Sequence, residues 1–376
     1  MGSRGSIGSV GSVLGFLVLG FTVPGFTGSG FSGSGFVQQP AQITNGRVEV
    51  RAGSTIEREV AAAAQQAEPS WVGWKVPTVD GRSRGCCWYS NNNDHFYGCG
   101  IEPSTAGAAT VRPQQPTGPV PLEAGTTLLV MARIADGNVE RIRTFGDDCP
   151  IDAGGRSIRF LDNVAPEASV RWLSQYVETT VAAAPRSSSY SNAMSAIAYT
   201  AGPAADAALD RFTAASQPAN VRRQAAFLIG RARGSAGFAK LKTMLARETA
   251  ADVRRTIIQA MSQSQVSEAV PSLLEIAKRD ADPANRSEAL MWLARNAGQT
   301  VAGDITAAIE NDPDTKVQER AVQALSQLPK DVGVPRLINV ARTHRNAKVR
   351  ERAMFWLGQS KDPRATKFFE EILISR

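Results

Sequence analysis

In the C-terminal half of the chain, hydrophobic residues return at a fixed interval. Within each segment they occupy positions i, i+4, i+7 and i+8, which fall on one side of an α-helix. The segments start 32 residues apart, at Val221, Val253, Asn285, Val317 and Val349. Position i+4 holds Ala225, Ile257, Ala289, Ala321 and Ala353, and position i+8 holds Ile229, Met261, Leu293, Leu325 and Leu357. The pattern predicts one amphipathic helix per period, and Ala193 with Ile197 adds a degenerate sixth unit.

A second apolar helix is predicted within each period, after a helix-breaking segment. These second helices are predicted at 238–245, 269–277, 305–309, 335–340 and 368–374. Pro203, Pro271 and Pro335 are expected near second-helix starts, where a missing N–H costs little. Gln217-Pro218, Asp282-Pro283 and Asp312-Pro313 mark the turns before first helices. Since one helix pair cannot cover its own apolar face, residues 190–376 are expected to stack as an α-solenoid of about six units.

The repeated phrase is also recognisable. Lys348 to Gly358 follows the pattern x-Val-Arg-x-x-Ala-x-x-x-Leu-Gly, and Asn220 to Gly230 nearly does. This pattern resembles the HEAT repeat, and is most similar to the short HEAT-like repeats of the phycobilisome lyase type. The resemblance implies that the Arg after the Val joins a structural ladder with acidic or carbonyl partners of adjacent units. The ladder residues would be Arg222, Arg254, Arg286 and Arg350, and Gln318 breaks the series.

Enzymes exist among proteins with such repeats, so departures from their patterns are informative. HEAT-like hydroxylases hold two irons with repeated His-Glu pairs. The chain has no His-Glu pair, and His344 is the one histidine of the repeats. The sequence therefore excludes that chemistry. A chaperone-like role on a partner protein, as in bilin lyases, stays open as an alternative, although no feature outside the generic repeat supports it.

Residues 43–164 show a different pattern. Residues 46–51 and 127–134 alternate apolar and polar positions, Asp136-Gly137 follows, and 139–143 resumes the alternation. An Asp-Gly turn between alternating segments predicts a β-hairpin. Ser157 to Leu161 suggests a further strand, and the Pro-rich stretch from Pro113 to Pro121 suggests a loop. We therefore expect an α+β multidomain chain, in which a small β-rich domain precedes the solenoid.

All four cysteines, Cys86, Cys87, Cys99 and Cys149, lie in this β-rich segment. Disulfides are the favoured interpretation, with Cys99 and Cys149 each bridging to one of the adjacent pair, although four cysteines allow three pairings. Zinc binding with His95 and a nucleophilic site built from Cys, His95 and Asp94 are alternatives. Asn91 to Asp94 is expected to form a turn, and Trp71, Trp74, Trp88 and Tyr89 are expected to pack in the core.

The first 42 residues are rich in Gly, Ser and Phe. Arg4 precedes an apolar run from Val10 to Val23, which is the order found in secretory signals. The run is shorter than the roughly 20 residues that span a bilayer, so no stable membrane span is expected. A leader at 1–42 together with clustered cysteines predicts an extracytoplasmic protein, periplasmic or secreted. A disordered leader or a misassigned start is the alternative.

Between the two regions, residues 165–189 are expected to form a capping helix, which includes Arg171 to Tyr176, and a linker. Positive charge is concentrated in the repeats: 28 of the 42 Lys and Arg residues lie in 186–376, against 19 of the 35 Asp and Glu residues. By resemblance to HEAT proteins, second helices would line the concave side of the stack. Partner-binding cations on that side would be Lys240, Lys242, Lys278, Arg336, Arg342 and Lys367.

These features favour a non-catalytic scaffold that holds another protein or an extended acidic peptide. No catalytic residue, metal site or cofactor is predicted, and a monomer is expected. An enzyme with a Cys/His site in the middle domain is the second hypothesis. Nucleic-acid binding by the basic repeats is a third, against which the sequence offers no clustered Arg–aromatic patch.

Overall fold

The fold is given by a computed structural model. It describes residues 43–79, 88–91, 94–97, 99–102, 126–147, 149–184 and 189–374, without the side chains of 88–97. The predicted leader, the loop at 113–121 and the Cys86-Cys87 pair lie outside these residues. Residues 39–376 form one compact unit.

The first part of the described chain is built mainly of strands. They are β1 (Ile43–Thr44), β2 (Arg47–Arg51), β3 (Ser70–Pro77), β4 (Trp88–Asn91), β5 (Asp94–Tyr97), β6 (Cys99–Gly100), β7 (Thr127–Ala135), β8 (Asn138–Gly146), β9 (Ile151–Asp152) and β10 (Ser157–Leu161). Five of them form a mixed sheet in the order β2-β10-β3-β7-β8, with β10 parallel to β2 and β3 and the other pairs antiparallel. A three-stranded sheet, β1-β9-β6, and the hairpin β4-β5 complete this region.

The hairpin predicted around Asp136-Gly137 is confirmed as β7 and β8. Asp136 has φ 50° and Gly137 has φ 75°. Positive φ at both central residues is the type I′ turn, whose twist matches that of the flanking strands. The strands predicted at 46–51 and 157–161 are confirmed as β2 and β10.

The five-stranded sheet is covered on both faces. One face places Trp71, Met131 and Phe160 in a small core with residues of the three-stranded sheet such as Ile151. The other face places Val72, Trp74 and Val130, among others, in a core shared with the helices. Because successive strand residues point to opposite faces, this explains why β3 and β7 are apolar at nearly every position.

The helices follow in chain order. They are α1 (Ile56–Ala64), α2 (Pro166–Ala183), α3 (Ser191–Tyr199), α4 (Pro203–Phe212), α5 (Ala219–Ala232), α6 (Gly234–Arg247), α7 (Ala251–Gln263), α8 (Ala269–Arg279), α9 (Pro283–Ala297), α10 (Ala302–Asn311), α11 (Thr315–Ser326), α12 (Lys330–Thr343), α13 (Ala347–Gln359) and α14 (Pro363–Ile374). Within 189–374, α3 to α14 form six consecutive pairs. The prediction of an α-solenoid with about six units is therefore confirmed.

The first helices, α3, α5, α7, α9, α11 and α13, pack directly on one another along the stack, whereas the second helices lie farther apart. The small residue at i+4 is fully buried in five of the six units, as at Ala225 and Ala289, and permits this approach. At the α5–α7 contact, a Cβ on Gly230 would lie only 2.5 Å from the Ala260 carbonyl oxygen.

This spacing corrects the expected orientation of the stack. In a stack of two helical layers, successive helices can lie closer together in one layer than in the other. The stack then bends towards the layer with the shorter distances, and that layer lies on the inner side. The closer layer here is formed by the first helices, not by the second helices as resemblance implied. The inner face therefore presents first-helix residues.

One helix start is also corrected. Pro203 and Pro271 lie in the first turns of α4 and α8, as predicted. Pro335, expected near a start, lies inside α12, which begins five residues earlier at Lys330. The true start follows Pro329, the N-cap residue, whose carbonyl accepts from the Val332 and Gly333 N–H groups at 2.9 and 2.8 Å.

The sheet and the solenoid share a continuous core. Trp74 of β3 stacks edge-on against Trp172 of α2, with ring centroids 5.5 Å apart, and its Nε1 donates to Ser169 Oγ at 2.8 Å. Next to α3, the Ala201 N–H donates to the Pro77 carbonyl at 2.8 Å. Helix α2 also packs on α3 and α4. The sheet therefore adjoins the N-terminal end of the helical stack.

Candidate protein-binding face

The ladder arginines connect successive units. Arg222 donates from Nε and Nη2 to the two carboxylate oxygens of Glu248 at 2.8 and 3.0 Å. One period later, Arg254 donates to Asp280 at 2.9 Å and to the Glu248 carbonyl at 3.0 Å. Each acid lies 26 residues after its arginine. Each of these arginines therefore joins its first helix to the turn that leads into the next one.

Arg286 has the most buried of these contacts. Its Nε and Nη2 each donate to Asp312 at 2.8 Å, and its Nη1 donates to the Asp280 carbonyl at 2.9 Å. The hydrogen bonds to Asp312 hold the pKa of Arg286 above its usual value, although burial opposes this. The geometry is bidentate and satisfied, which is typical of a structural contact.

At the next period both members of the pair change. Gln318 stands at the arginine position and donates from Nε2 to the Asp312 carbonyl at 2.9 Å. His344 stands at the acid position, 7% exposed, and its Nδ1 accepts the Asn346 N–H at 3.1 Å. Asp312 accepts the Asp314 N–H in the same way at 2.9 Å. The two positions that carry the ion pair in the preceding units therefore carry Gln318 and His344 here, each bonded to other groups, and Arg350 resumes the series with a bond to the His344 carbonyl at 2.8 Å.

The six predicted partner-binding cations lie on second helices, and half of them face acids of a neighbouring second helix. These contacts are Lys240 with Asp210 at 2.5 Å, Lys278 with Asp304 at 2.7 Å, and Arg342 with Glu371. Arg336 donates to the Val332 carbonyl of its own helix at 3.0 Å. Lys242 and Lys367 are exposed. Local pairing thus lowers the positive charge that this side presents.

The first helices present a different surface. Positions i+6 and i+10 lie one helical turn apart, on the side of the helix away from the buried i+4 and i+8 positions. The middle row, at i+6, is Phe227, Gln259, Met291, Gln323 and Phe355. The end row, at i+10, is Arg231, Gln263, Arg295, Gln327 and Gln359. We call these ten residues the first-helix face.

Arginine side chains stack on aromatic rings that lie on this face or directly beside it. The Arg231 guanidinium lies 5.4 Å from the centre of the Phe227 ring, and that of Arg295 lies 5.1 Å from the centre of the neighbouring Trp292 ring. Arg352 lies 5.9 Å from the centre of the Phe355 ring, which is 50% exposed. Phe, Trp and Arg are enriched where proteins bind one another.

Sequence reasoning missed these Arg–aromatic contacts because their members are separated along the chain by three or four residues and occur in alternate units. The sequence does carry a signal: at i+6, apolar residues alternate with glutamines from unit to unit, and at i+10, arginine alternates with glutamine until Gln359 in the last unit. Apart from Trp292 at i+7, these residues fall outside the apolar stripe that identifies the helices.

The β-rich region holds a buried charge cluster. Glu102 accepts hydrogen bonds from Trp71 Nε1 at 2.7 Å and from Arg133 Nε and Nη2 at 2.9 and 2.8 Å. Burial raises the pKa of Glu102, but the bonds from Arg133 and Trp71 outweigh it and leave the pKa below its ordinary value. Because both carboxylate oxygens are engaged, the cluster stabilises the sheet and is poorly suited to proton transfer.

Cys99, the first residue of β6, and Cys149, two residues before β9, are both buried, and each belongs to a disulfide bond. His95 and Asp94 lie on β5 and pair with Ser90 and Asn91 of β4. As disulfide partners, Cys99 and Cys149 provide no thiolate for zinc or for a Cys/His site. For Cys86 and Cys87, which lie outside the described residues, both hypotheses stay predictions. In the part of the chain that the structure describes, no group of three or more His, Cys, Asp or Glu residues is arranged to hold a metal. Nor is any described helix both long and apolar enough to cross a bilayer.

The fold and its inner face define an α-solenoid protein built on a mixed β-sheet. The family model for HEAT repeats matches residues 205–294, 270–337 and 302–376. Residues 205–376 therefore consist of HEAT repeats, and the structure adds α3, which completes the first helix pair with α4, at the start of the stack.

Individual solved structures show only low similarity to the chain. Among solved structures, the complex of CpcE and CpcF of phycocyanin lyase from Nostoc sp. PCC7120 is 17% identical, with a TM-score of 0.28, over 55% of this chain and 81% of that one. Human deoxyhypusine hydroxylase in complex with glycerol is 16% identical, with a TM-score of 0.27, over 55% and 90%. Values this low carry no conclusion about activity. No curated protein matches the chain.

Proposed function

We propose that the protein is a binding scaffold, and that the first-helix face is where it holds another protein. The observation that carries this proposal is the set of aromatic and arginine side chains on the inner side of the stack, with Phe355 half exposed. The inner surface of a solenoid is extended and built from many units, which suits it to hold a protein ligand.

The contrast between the two helical layers supports this choice. Half of the six second-helix cations are paired with neighbouring acids, as Lys240 is with Asp210. On the first-helix face, Arg231 and Arg295 stack on rings and have no acidic partner among the described residues. Side chains that are exposed, aromatic or unpaired contribute more to association than charges that are already satisfied.

Site-specific crosslinking tests the proposal in the cell that makes the protein. A photoreactive amino acid at Gln259, on the first-helix face, should crosslink one discrete partner. The same group at Lys242, on α6, should not. The partner is then purified, and its affinity for the full chain is measured by calorimetry.

Matched substitutions decide the outcome. Phe355→Ala should weaken binding of the purified partner about tenfold or more, as expected for an aromatic contact at an interface. Leu373→Ala, at a residue 72% exposed on α14, is the control and should leave affinity unchanged. Equal affinity of wild type and Phe355→Ala would place the binding surface elsewhere and reject the proposal.

We further propose that the protein acts outside the cytoplasm as a monomer. The disulfide-bonded state of Cys99 and Cys149 supports export, because disulfides persist in oxidising compartments. Cell fractionation followed by thiol alkylation should find the protein outside the cytoplasm with all four cysteines protected, and light scattering should give the mass of one 40.1 kDa chain or slightly less after leader removal. Alkylated cysteines in a cytoplasmic protein would contradict export.

A further inference from the structure

We propose that the ligand of the first-helix face is an extended, acidic segment of the partner protein, and that the glutamines of this face bind its backbone. This inference rests on the proposed function and specifies the chemistry of the ligand. It follows from the spacing, the hydrogen-bonding capacity and the charge of the two rows.

The spacing of the units suits an extended chain. Packed helices lie about 8–10 Å apart, and an extended strand rises about 3.3 Å per residue. One unit therefore corresponds to about three residues of a ligand that crosses the first helices, and two units correspond to about six. A helical ligand rises only about 1.5 Å per residue. Its side chains would therefore not meet each unit of the solenoid at this interval.

The middle row alternates with a period of two units. Phe227, Met291 and Phe355 occupy the second, fourth and sixth units, while Gln259 and Gln323 stand between them. Phe355 is half exposed, and Phe227 is partly exposed. Met291 is buried, and the partly exposed ring of Trp292 lies beside it. Apolar side chains of the ligand should therefore recur about every six residues.

Glutamine side chains provide the contacts between these apolar sites. A carboxamide carries both a donor and an acceptor, so it can bind a backbone N–H and a backbone C=O whatever the ligand sequence. Gln259 and Gln263 make no side-chain hydrogen bond to any described residue. Gln323 accepts from Arg320 Nη1 at 2.6 Å, and its own N–H groups stay available. All three glutamines are partly exposed.

The end row supplies the charge. Arg231 and Arg295 stand two units apart and both are exposed, and glutamine fills the other three positions, so the row contains no acid. Two half-buried acids on the first helices have partners: Glu288 accepts from Trp292 Nε1 at 2.7 Å, and Glu319 lies 3.6 Å from Arg352. Glu351 is exposed, but among the described residues the unpaired arginines Arg231 and Arg295 outnumber it. The electrostatic complement of this row is a segment that carries carboxylates.

A synthetic peptide of about 15 residues, long enough to cross five first helices, provides the probe. It carries leucine at every sixth position and glutamates between, and fluorescence anisotropy measures its binding to the full chain. Binding should weaken as salt rises. A peptide with lysine in place of glutamate should bind at least about tenfold more weakly, and so should a peptide N-methylated along its backbone.

Matched variants of the protein test each contact. Gln259→Met and Gln323→Met keep side-chain size but remove the amide, and each should weaken binding about three- to tenfold. Gln299→Met, at an exposed glutamine away from the face, is the control. Arg231→Gln and Arg295→Gln should also weaken binding, whereas Arg279→Gln on α8 should not.

Each result bears on the proposal. Equal binding of the glutamate and lysine peptides, or equal binding by Gln259→Met and wild type, would overturn it. Tighter binding of a single-stranded oligonucleotide than of the acidic peptide would also overturn it. If the peptide fails while the crosslinked partner still depends on Phe355, the extended-segment inference is wrong and the scaffold function stands. If the partner is indifferent to Phe355, the function itself is wrong.

Discussion

Arg286 and Asp312 form two parallel hydrogen bonds, each 2.8 Å long, between a first helix and the turn that begins the next unit. Both side chains are less than 10% exposed. Since Arg222–Glu248 and Arg254–Asp280 repeat the contact, the stack is held in register by charge as well as by apolar packing.

Removing the Arg286 guanidinium should destabilise the protein strongly. Arg286→Met leaves Asp312 buried without its cation, which costs about 3–5 kcal/mol in comparable buried pairs. Urea unfolding at neutral pH measures the loss. The control is Arg279→Met, which breaks the exposed Arg279–Glu275 pair and should cost less than about 0.5 kcal/mol. Equal losses in the two variants would contradict a structural role for the ladder.

The positions of Gln318 and His344 should accept a fourth ion pair. Gln318→Arg alone buries an unpaired guanidinium, and His344→Asp alone buries an unpaired carboxylate, so each should destabilise the protein. The double variant should recover stability, with a coupling free energy of about 1–3 kcal/mol in a double-mutant cycle. Additive effects of the two substitutions would show that these positions do not meet as Arg286 and Asp312 do.

Two glycines at the same repeat position should respond oppositely to alanine. A Cβ on Gly230 would lie 2.5 Å from the Ala260 carbonyl oxygen, so Gly230→Ala must push α5 and α7 apart and should cost about 1–3 kcal/mol. Around Gly358 nothing lies within 4 Å of the added Cβ. Gly358→Ala should therefore stabilise the protein by up to about 1 kcal/mol, through higher helix propensity. Thermal unfolding distinguishes the two, and similar shifts would argue against close first-helix packing.

Acid should weaken the ladder through Glu248. Burial raises the pKa of Glu248, but the bonds from Arg222 and from the Thr249 and Ala250 N–H groups outweigh it and hold the pKa below the ordinary value. A depressed carboxyl pKa stabilises the folded state above the unfolded value of about 4.3, and this contribution is lost as the pH falls below it. Glu248→Gln should therefore lose less stability than wild type between neutral pH and about pH 3.

Urea midpoints across this range provide the measurement, and Glu275→Gln, at an exposed carboxyl, is the matched control. Wild-type and Glu248→Gln curves that stay parallel from neutral to acid pH would show that Glu248 does not contribute to the acid response.

Periodicity made the helical stack predictable because each unit repeats the same apolar stripe, from Val221 to Leu357. The hairpin at Asp136-Gly137 was predictable for a similar reason: the turn is local, and glycine favours its positive φ. The start of α12 was not predictable, because the sequence is equally compatible with Pro335 in a first helical turn. Only the capping by Pro329 fixes the boundary.

The sequence by itself determined what depends on neighbours along the chain: helix pairs every 32 residues, the β-hairpin, and the arginines at one repeat position. Only the tertiary structure decided which layer lies inside, because curvature depends on distances between helices that are far apart in sequence. It also decided which charges are paired. Lys240 and Asp210 are 30 residues apart along the chain, but their charged atoms lie 2.5 Å apart.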